Sequence, residues 1–327
     1  MNARINVKGK KILFFGIGFY DYESSIKKEL EQQGAIVTFF LDRSLWRRSG
    51  LLNKISKLPF ISIDRISKNY HARILKNIAA DSFDYVFVIK GDGLTDIFLS
   101  SLRKKLSNAR FIMYQWDSLN RVPSAVRQLK YFDKIFSFDR IDCLNNPTLY
   151  FRPLFFRDCG NLTASHEKYD MVFIGWLHAD RLPIIEKITE WAALKRLNTF
   201  FYLYTGIVTY LKNYKNNKSN FLFLRKMPYK KALQINSSAK VILDFPHQLQ
   251  CGLTMRTIEA VGMGKKLITT NKDVVNYDFY GTENILVIDE NLIGLHAGFF
   301  NKPYSQLPQS VVEYYKLSRW VSDVFSA

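Results

Sequence analysis

Short apolar runs alternate with polar, helix-favouring stretches along nearly the whole chain, and this alternation restricts the fold more than any other feature. KILFFGIG (11–18) ends in glycine; a helix-favouring stretch from Tyr22 to Gln33, then Gly34 and AIVTFFLD, complete a β–α–β opening. DYVFVIK (84–90), a helix near 95–105, ARFIMYQW (109–116), FDKIFSFD (132–139) and LYFRPLFF (149–156) extend it to a first sheet of about six strands. A second series begins at DMVFIGW (170–176). It runs through a helix near 180–195, TFFYLY, NFLFL, a helix near 229–237, AKVILDF (239–245), KKLITT and NILVID. Near-continuous apolar strands belong to sheets buried on both faces. Strands separated by helices imply parallel order. The expected class is therefore α/β, with two doubly wound parallel sheets: residues 1–157 and residues 158–327. The polar stretch from Arg157 to Tyr169 reads as the linker, and KNYKNNKSN (212–220) as an exposed loop.

Composition limits what these sheets can serve. A chain of 327 residues has room for two ordinary cores, and 47% hydrophobic content argues against extensive disorder. No apolar run reaches the roughly 18 residues of a membrane helix. The nearest, Leu197 to Leu211, reads as a strand followed by a turn. The N-terminus lacks the apolar core and cleavage site of a signal peptide, so export is not expected. Cys143, Cys159 and Cys251 form no C-x-x-C pair or zinc pattern, which fits a reducing cytoplasm.

The net charge of +18 is uneven. Residues 1–157 carry 27 Lys+Arg against 14 Asp+Glu, and residues 158–327 carry 20 against 15. From Arg43 to Lys76 there are nine basic residues and one acid, Asp64. That segment favours phosphate-rich partners: a nucleic acid, an anionic membrane surface or a lipid pyrophosphate. Within it, LWRRSGLLNKISKLPF (45–60) mixes apolar residues with Arg47, Arg48, Lys54 and Lys57. Both an interfacial amphipathic helix and the solvated basic face of a core-packed helix fit this pattern.

Chemistry is concentrated in QCGLTMRTIEAVGMGKKLITTN (250–271). It reads as a glycine turn, a short helix carrying Arg256 and Glu259, a glycine break and a strand. A helix N-terminus at the mouth of an open sheet binds anions, phosphates above all. Glu259 follows Gly252 by seven residues, roughly 10 Å along a helix axis, so a diphosphate held at the helix start would bring a ribose beside the carboxylate. By contrast, Gly16-x-Gly18 has Asp21 where a dinucleotide fingerprint has its third glycine.

The stretch CGLTMRTIEAVGMGKKLITTN resembles the C-terminal domain of the bacterial lipopolysaccharide and capsule biosynthesis glycosyltransferases of the GT-B type. The resemblance extends to INSSAKVILDFPH (235–247), His247, Gln250 and YYKLSRWVSDVF (314–325). In the first half it includes IKGDG (89–93), YQWDS (114–118), FDKIFSFDRID (132–142) and RPLFF (152–156). It implies two Rossmann-like domains facing across a cleft, with the acceptor on the N-terminal side and the nucleotide-sugar on the C-terminal side. It also implies that the terminal helix, read here as Leu307 to Phe325, crosses back onto the first domain. One departure stands out: many GT-B enzymes carry a glutamate eight positions before the ribose glutamate, and this chain has Cys251 there.

These readings yield candidate residues. For the donor they are Arg181, His247, Gln250, Gly252, Leu253, Thr254, Arg256 and Glu259. The three backbone groups from Gly252 to Thr254 and the two arginines would neutralise a departing diphosphate. The chain contains no Asp-x-Asp, so no metal and no separate cofactor are expected. Asp92, Asp117 and Asp139 sit at C-terminal strand ends, where open α/β sheets place their clefts, and are the candidate general bases; each also fits a helix cap. Arg47, Arg48, Lys54 and Lys57 are the candidate membrane or acceptor contacts. The leading reading is a hexosyltransferase-like enzyme at the inner face of the plasma membrane. It would move a sugar to a lipid-linked saccharide in surface-polysaccharide biosynthesis. A sugar-nucleotide epimerase on the same fold is the alternative. A nucleic-acid-binding protein would suit the charge but leaves the phosphate-site helix unexplained, so no nucleic-acid partner is expected.

Overall fold

The computed structural model of the protein describes residues 7–18, 21–43, 63–157, 167–177, 181–214, 220–247 and 250–326. The chain forms two compact units: Met1–Pro153 joined by Leu317–Ala327, and Leu154–Lys316. The sequence reading divides the chain after Arg157 and leaves the terminal helix with the second half.

In the first unit, β1 (Lys11–Gly16), α1 (Tyr22–Gln32), β2 (Ile36–Leu41) and α2 (Ile63–Asn77) lead to β3 (Tyr85–Ile89) and α3 (Asp96–Lys105). Then come β4 (Arg110–Gln115), α4 (Pro123–Gln128), β5 (Lys134–Ser137), α5 (Arg140–Asn145) and β6 (Leu149–Phe151). The second unit starts with β7 (Tyr169–Trp176), α6 (Arg181–Leu194), β8 (Thr199–Tyr204), α7 (Ile207–Tyr214), β9 (Leu222–Phe223) and α8 (Tyr229–Ser237). It continues with β10 (Ala239–Asp244), α9 (Met255–Gly262), β11 (Lys266–Thr269), β12 (Ile285–Val287), α10 (Gly298–Asn301) and α11 (Gln309–Tyr314). The last helix, α12 (Leu317–Val324), returns to the first unit.

Among the described residues each unit has one six-stranded sheet, ordered β2-β1-β3-β4-β5-β6 and β12-β11-β10-β7-β8-β9, with every pairing parallel. Both faces of each sheet are covered, as the continuous apolar strands require. In β1, Leu13 and Phe15 face one core with Val86, Val88, Phe111 and Met113. Phe14, between them, faces the other way and meets Phe87 at 5.0 Å. On that second face α12 seats Trp320, fully buried, at 4.6 Å from Tyr114 and 6.2 Å from Phe87. Phe325 packs on Tyr85 and Phe87, and Asp323 pairs with Arg152 at 3.0 Å.

Two expectations need correction. The terminal helix is not continuous: α11 and α12 break at Tyr315–Lys316 without a proline or glycine. Phe156 donates its N–H to the Tyr315 carbonyl at 2.8 Å and bridges Lys316 in parallel, while the Tyr315 hydroxyl donates to Asp278 at 2.6 Å. The Phe156 N–H thus occupies the carbonyl that a continuing helix would use, and the Asp278 bond holds the Tyr315 side chain beside it. Second, the run 197–211 is a strand, a two-residue turn and then a helix, since α7 starts at Ile207 and carries on through Lys212 into the stretch read as a loop. Among the described residues no helix is long and apolar enough to cross a membrane.

Candidate functional site

In the second sheet the chain moves from β7 outward to β8 on one side and later to β10 on the other, so strand order reverses between β7 and β10. Loops diverge at such a point and leave a crevice at the carboxyl ends of the strands, where open α/β sheets take ligands. The residues at this crevice are tightly organised. Asp244, the last residue of β10, is fully buried. Its Oδ1 accepts from Arg256 Nη1 at 2.7 Å, and its Oδ2 accepts from the hydroxyls of Thr254 and Thr257, each at 2.8 Å. Arg256 Nη2 crosses to β7 and donates to the Ile174 carbonyl at 2.6 Å, with the guanidinium 4.6 Å over the Phe173 ring. A Cβ at Gly175 would lie 2.8 Å from Nη2, so a larger residue there would have to displace the guanidinium.

Arg181, the first residue of α6, makes a second bridge over the same crevice. Its Nε donates to the Phe245 carbonyl at 2.7 Å and its Nη1 to the Trp176 carbonyl at 2.8 Å. Each arginine is therefore bonded to both β7 and β10 or the loops that follow them.

Thr254 is the N-cap of α9, extended at φ −73°, ψ 162°, with its Oγ1 accepting from Thr257 N–H. This satisfies one of the orphan donors at the helix start and leaves the dipole end pointing out of the sheet. The approach to the cap is also fixed. Gln250 Nε2 donates to the Gly252 carbonyl at 3.0 Å, and Asn271 Nδ2, beyond β11, donates to the Cys251 carbonyl at 2.9 Å. Gly252 and Leu253 are buried and His247 is half-buried. Glu259 lies on the helix's second turn, 7% exposed, and its Oε1 accepts from the Tyr229 hydroxyl at 2.6 Å. The Arg157 guanidinium stacks on that tyrosine, 3.6 Å from the ring centre.

All eight donor candidates lie in one unit, on the segments that follow β7 and β10: Arg181 opens α6, His247, Gln250, Gly252, Leu253 and Thr254 lead into α9, and Arg256 and Glu259 stand on α9. Sequence reasoning assigned Arg256 and Arg181 to phosphate; in the structure both are bonded to the framework of the crevice. It overlooked Asp244, Thr257, Tyr229, Asn271 and Arg157. Asp244 had a signal in the sequence, an acid ending the apolar run VIL just before the glycine turn. Tyr229, Asn271 and Arg157 had none, since their partners lie 20 residues or more along the chain.

The first unit holds a separate charged line at the carboxyl ends of β2, β3 and β4. Arg43 donates from Nε and Nη2 to Asp42, each at 2.9 Å, and also to Asp92. Lys90 Nζ lies 3.7 Å from Asp92 and 2.8 Å from Asp117, which accepts from Arg121 at 3.0 Å. Asp42 is fully buried, and burial raises its carboxyl above the ordinary value against the pull of the Arg43 bonds. The bond to Asp42 in turn raises Arg43. The loop that carries Lys90 and Asp92 is built for this. Lys90 sits in the left-handed region at φ 63°, and the buried Gln115 and Gln128 donate to the carbonyls of Lys90 and Leu94. Gly93 donates its N–H to Asp42 Oδ2 at 2.9 Å, where a Cβ would come within 2.6 Å of the carboxylate.

Asp92 and Asp117 keep 23% and 19% of their side chains exposed. Asp139 is buried and caps α5, accepting from the N–H groups of Ile141 and Asp142. The glycine loop after β1 is filled by the chain itself: Gly18 N–H donates to the buried Glu23 carboxylate at 2.7 Å, occupying the place of an external anion. Arg47, Arg48, Lys54, Lys57 and Cys159 lie outside the described residues.

No family model matches the sequence, and no curated protein does. Solved structures do match, over 96–97% of the chain for the three described next. An alpha,alpha-trehalose-phosphate synthase (UDP-forming) from Burkholderia xenovorans, in complex with glucose-6-phosphate, is similar at TM-score 0.62 and 12% identity, covering 96% of this chain and 99% of that one. An alpha-glucosyltransferase in complex with UDP and a 13-mer DNA containing a HMU base is similar at TM-score 0.55 and 15% identity, covering 97% and 95%. The UDP-GlcNAc 2-epimerase of Methanocaldococcus jannaschii, in complex with UDP-GlcNAc and UDP, is similar at TM-score 0.56 and 14% identity, covering 96% and 97%. These likenesses are of fold. The chain has the two-domain α/β architecture shared by GT-B glycosyltransferases and these epimerases.

Proposed function

We propose that the protein is a GT-B glycosyltransferase that takes a nucleotide-sugar at the β7–β10 crevice and passes the sugar to a lipid-linked saccharide during surface-polysaccharide biosynthesis. One observation carries this reading: the N-terminus of α9 is pinned at the reversal of strand order by the Asp244–Thr254–Thr257–Arg256 cluster, with Glu259 one turn further on. The N–H groups at the helix start would take the diphosphate, and Glu259 would accept from the ribose hydroxyls in exchange for Tyr229. UDP occupies two of the similar structures, which supports a nucleoside diphosphate as the leaving group.

In the transfer, an acceptor hydroxyl oxygen bonds to the anomeric carbon as the bond from that carbon to the diphosphate breaks. The diphosphate leaves with the electron pair, and its charge falls on preorganised N–H donors and the outer faces of Arg181 and Arg256. The hydroxyl proton passes to a carboxylate. Asp92 and Asp117 are partly exposed and fit that task better than Asp139, which is buried in a helix cap. This scheme uses no metal, so turnover with excess EDTA should equal turnover with Mg²⁺; strict metal dependence would reject it. The membrane part of the reading rests on the basic segment 43–76, whose lysines and arginines contribute about 1 kcal/mol each near an anionic surface.

The likeness to the 2-epimerase favours a second reading, in which the same donor site epimerises its sugar with no acceptor. Incubation with UDP-GlcNAc and other UDP-, GDP-, dTDP- and CMP-sugars separates the two. Slow release of nucleoside diphosphate and free sugar supports the transferase, whereas a 2-epimer product supports the epimerase.

A further inference from the structure

From Trp191 to Leu243 the chain contains no aspartate or glutamate and ten lysines and arginines. This stretch builds β8, α7, β9 and α8, one flank of the second sheet that ends at the edge strand β9. The same flank turns apolar side chains outward. Ile207, Val208 and Leu211 of α7 are 55%, 60% and 52% exposed. Their spacing puts them on one helix face, while Tyr210 packs against the core from another. Phe223 and Leu224, at the carboxyl end of β9, are also exposed. Tyr204 pairs with Phe223 in parallel register, and α7 begins three residues after Tyr204, so these five side chains occupy one corner of the unit. Lys212, Arg225, Lys226, Lys230 and Lys231, adjoining them in sequence, are exposed too.

A helix of a soluble domain normally buries its aliphatic face, and a contiguous apolar surface rimmed by polar residues marks an interaction site. Charge sets the kind of partner: Lys212, Arg225, Lys226, Lys230 and Lys231 adjoin this corner, and no acid occurs in the stretch that carries them, which calls for an anionic partner. The apolar chemistry then distinguishes among anionic partners. Nucleic acid offers base faces that stack on aromatic and arginine side chains, whereas Ile207, Val208 and Leu211 are aliphatic. A bilayer takes aliphatic side chains into its acyl boundary while lysines and arginines meet the headgroups.

We propose that this corner of the second unit docks on an anionic lipid bilayer, with Ile207, Val208 and Leu211 entering the acyl boundary and Lys212, Arg225 and Lys230 facing the headgroups. Its residues are different from those of the 43–76 segment. It deepens the membrane part of the proposed function and rests on that reading for its purpose, but its test does not depend on catalysis.

The test is co-sedimentation of the full chain with phosphatidylcholine vesicles, with and without phosphatidylglycerol, across a salt series. The parent protein should sediment with the anionic vesicles. Ile207→Ser/Val208→Ser/Leu211→Ser should lower the partition coefficient at least about tenfold, given the burial energy of aliphatic side chains. Lys212→Gln/Arg225→Gln/Lys230→Gln should weaken binding and flatten its salt dependence. Nucleotide-sugar binding should be unchanged in both variants, because the altered residues lie outside the donor site. Parent-like sedimentation of the serine variant overturns the proposal. So does loss of all binding in Arg47→Gln/Arg48→Gln/Lys54→Gln/Lys57→Gln when the serine variant still binds. Displacement of vesicles by a DNA oligomer that binds parent and serine variant alike would assign the surface to nucleic acid, and a parent dimer that the serine variant dissolves without losing vesicle binding would assign it to self-association. A parent protein that binds vesicles but no nucleotide-sugar would count against the transferase and leave the docking surface standing.

Discussion

Glu259 and Asp244 are both acids of the donor crevice, but they do different work. Asp244 is fully buried with three donors on its two oxygens, so it is framework. Removing its cation leaves a buried charge with only hydroxyl partners, and such losses cost about 3–5 kcal/mol. Arg256→Ala should therefore lower both turnover and stability, seen as a reduced urea midpoint, rather than turnover alone. Glu259 accepts from the Tyr229 hydroxyl, which a ribose can replace. Glu259→Gln should raise the nucleotide-sugar Kd by about 1–3 kcal/mol while leaving the urea midpoint near that of the parent. On the acceptor side, Asp92→Asn or Asp117→Asn should lower kcat about 10²–10⁴-fold if that residue is the base; parent-like turnover in both variants would remove both candidates. The cysteines give a simpler check. Burial pushes the Cys143 thiol up to about 12, whereas Cys251 is exposed. Iodoacetamide at pH 8 should label Cys251 and spare Cys143 until the chain is denatured, as peptide mass spectrometry would show.

At the scale of elements, α9 depends on its cap and on the strand it leaves. Thr254 both receives the Thr257 N–H and donates to Asp244. Thr254→Ala should cost about 1–2 kcal/mol in urea unfolding, the upper part of the range for a cap, because it also removes one bond to a buried carboxylate. Sequence made this element legible: glycine, threonine, a helical stretch and a second glycine mark it from end to end. The strands were equally legible, because a run such as YVFVI is apolar at every position and has to be buried on both faces. The break between α11 and α12 was not, since a backbone bond from Phe156 to Tyr315 spans 159 residues and leaves no local trace. Helix α7 was missed for a related reason. Its exposed face is apolar, which reverses the amphipathic pattern that signals a surface helix.

Over the whole molecule, the chain's last helix decides the composition of the units. With α12 assigned to the first unit, the C-terminus completes a core begun at β1, and the long-range pairs Trp320–Tyr114 and Arg152–Asp323 seal it. Trp320→Ala should cost about 3–5 kcal/mol and should be read by calorimetry in the transition of the first unit. Which residues share a crevice was only partly legible. The motif around Gly252 pointed to α9, but the partners that hold it, Asp244, Ile174 and Asn271, come from β7, β10 and the turn after β11 and meet only on folding. The central claim is that a nucleotide-sugar binds at this crevice. The most direct measurement is calorimetric titration of the parent and Glu259→Gln proteins with UDP-, GDP-, dTDP- and CMP-sugars in excess EDTA. The account requires saturable binding of at least one donor by the parent and weaker binding of that donor by the variant. Equal affinity for the two proteins, or no binding of any donor by a folded parent, would contradict it.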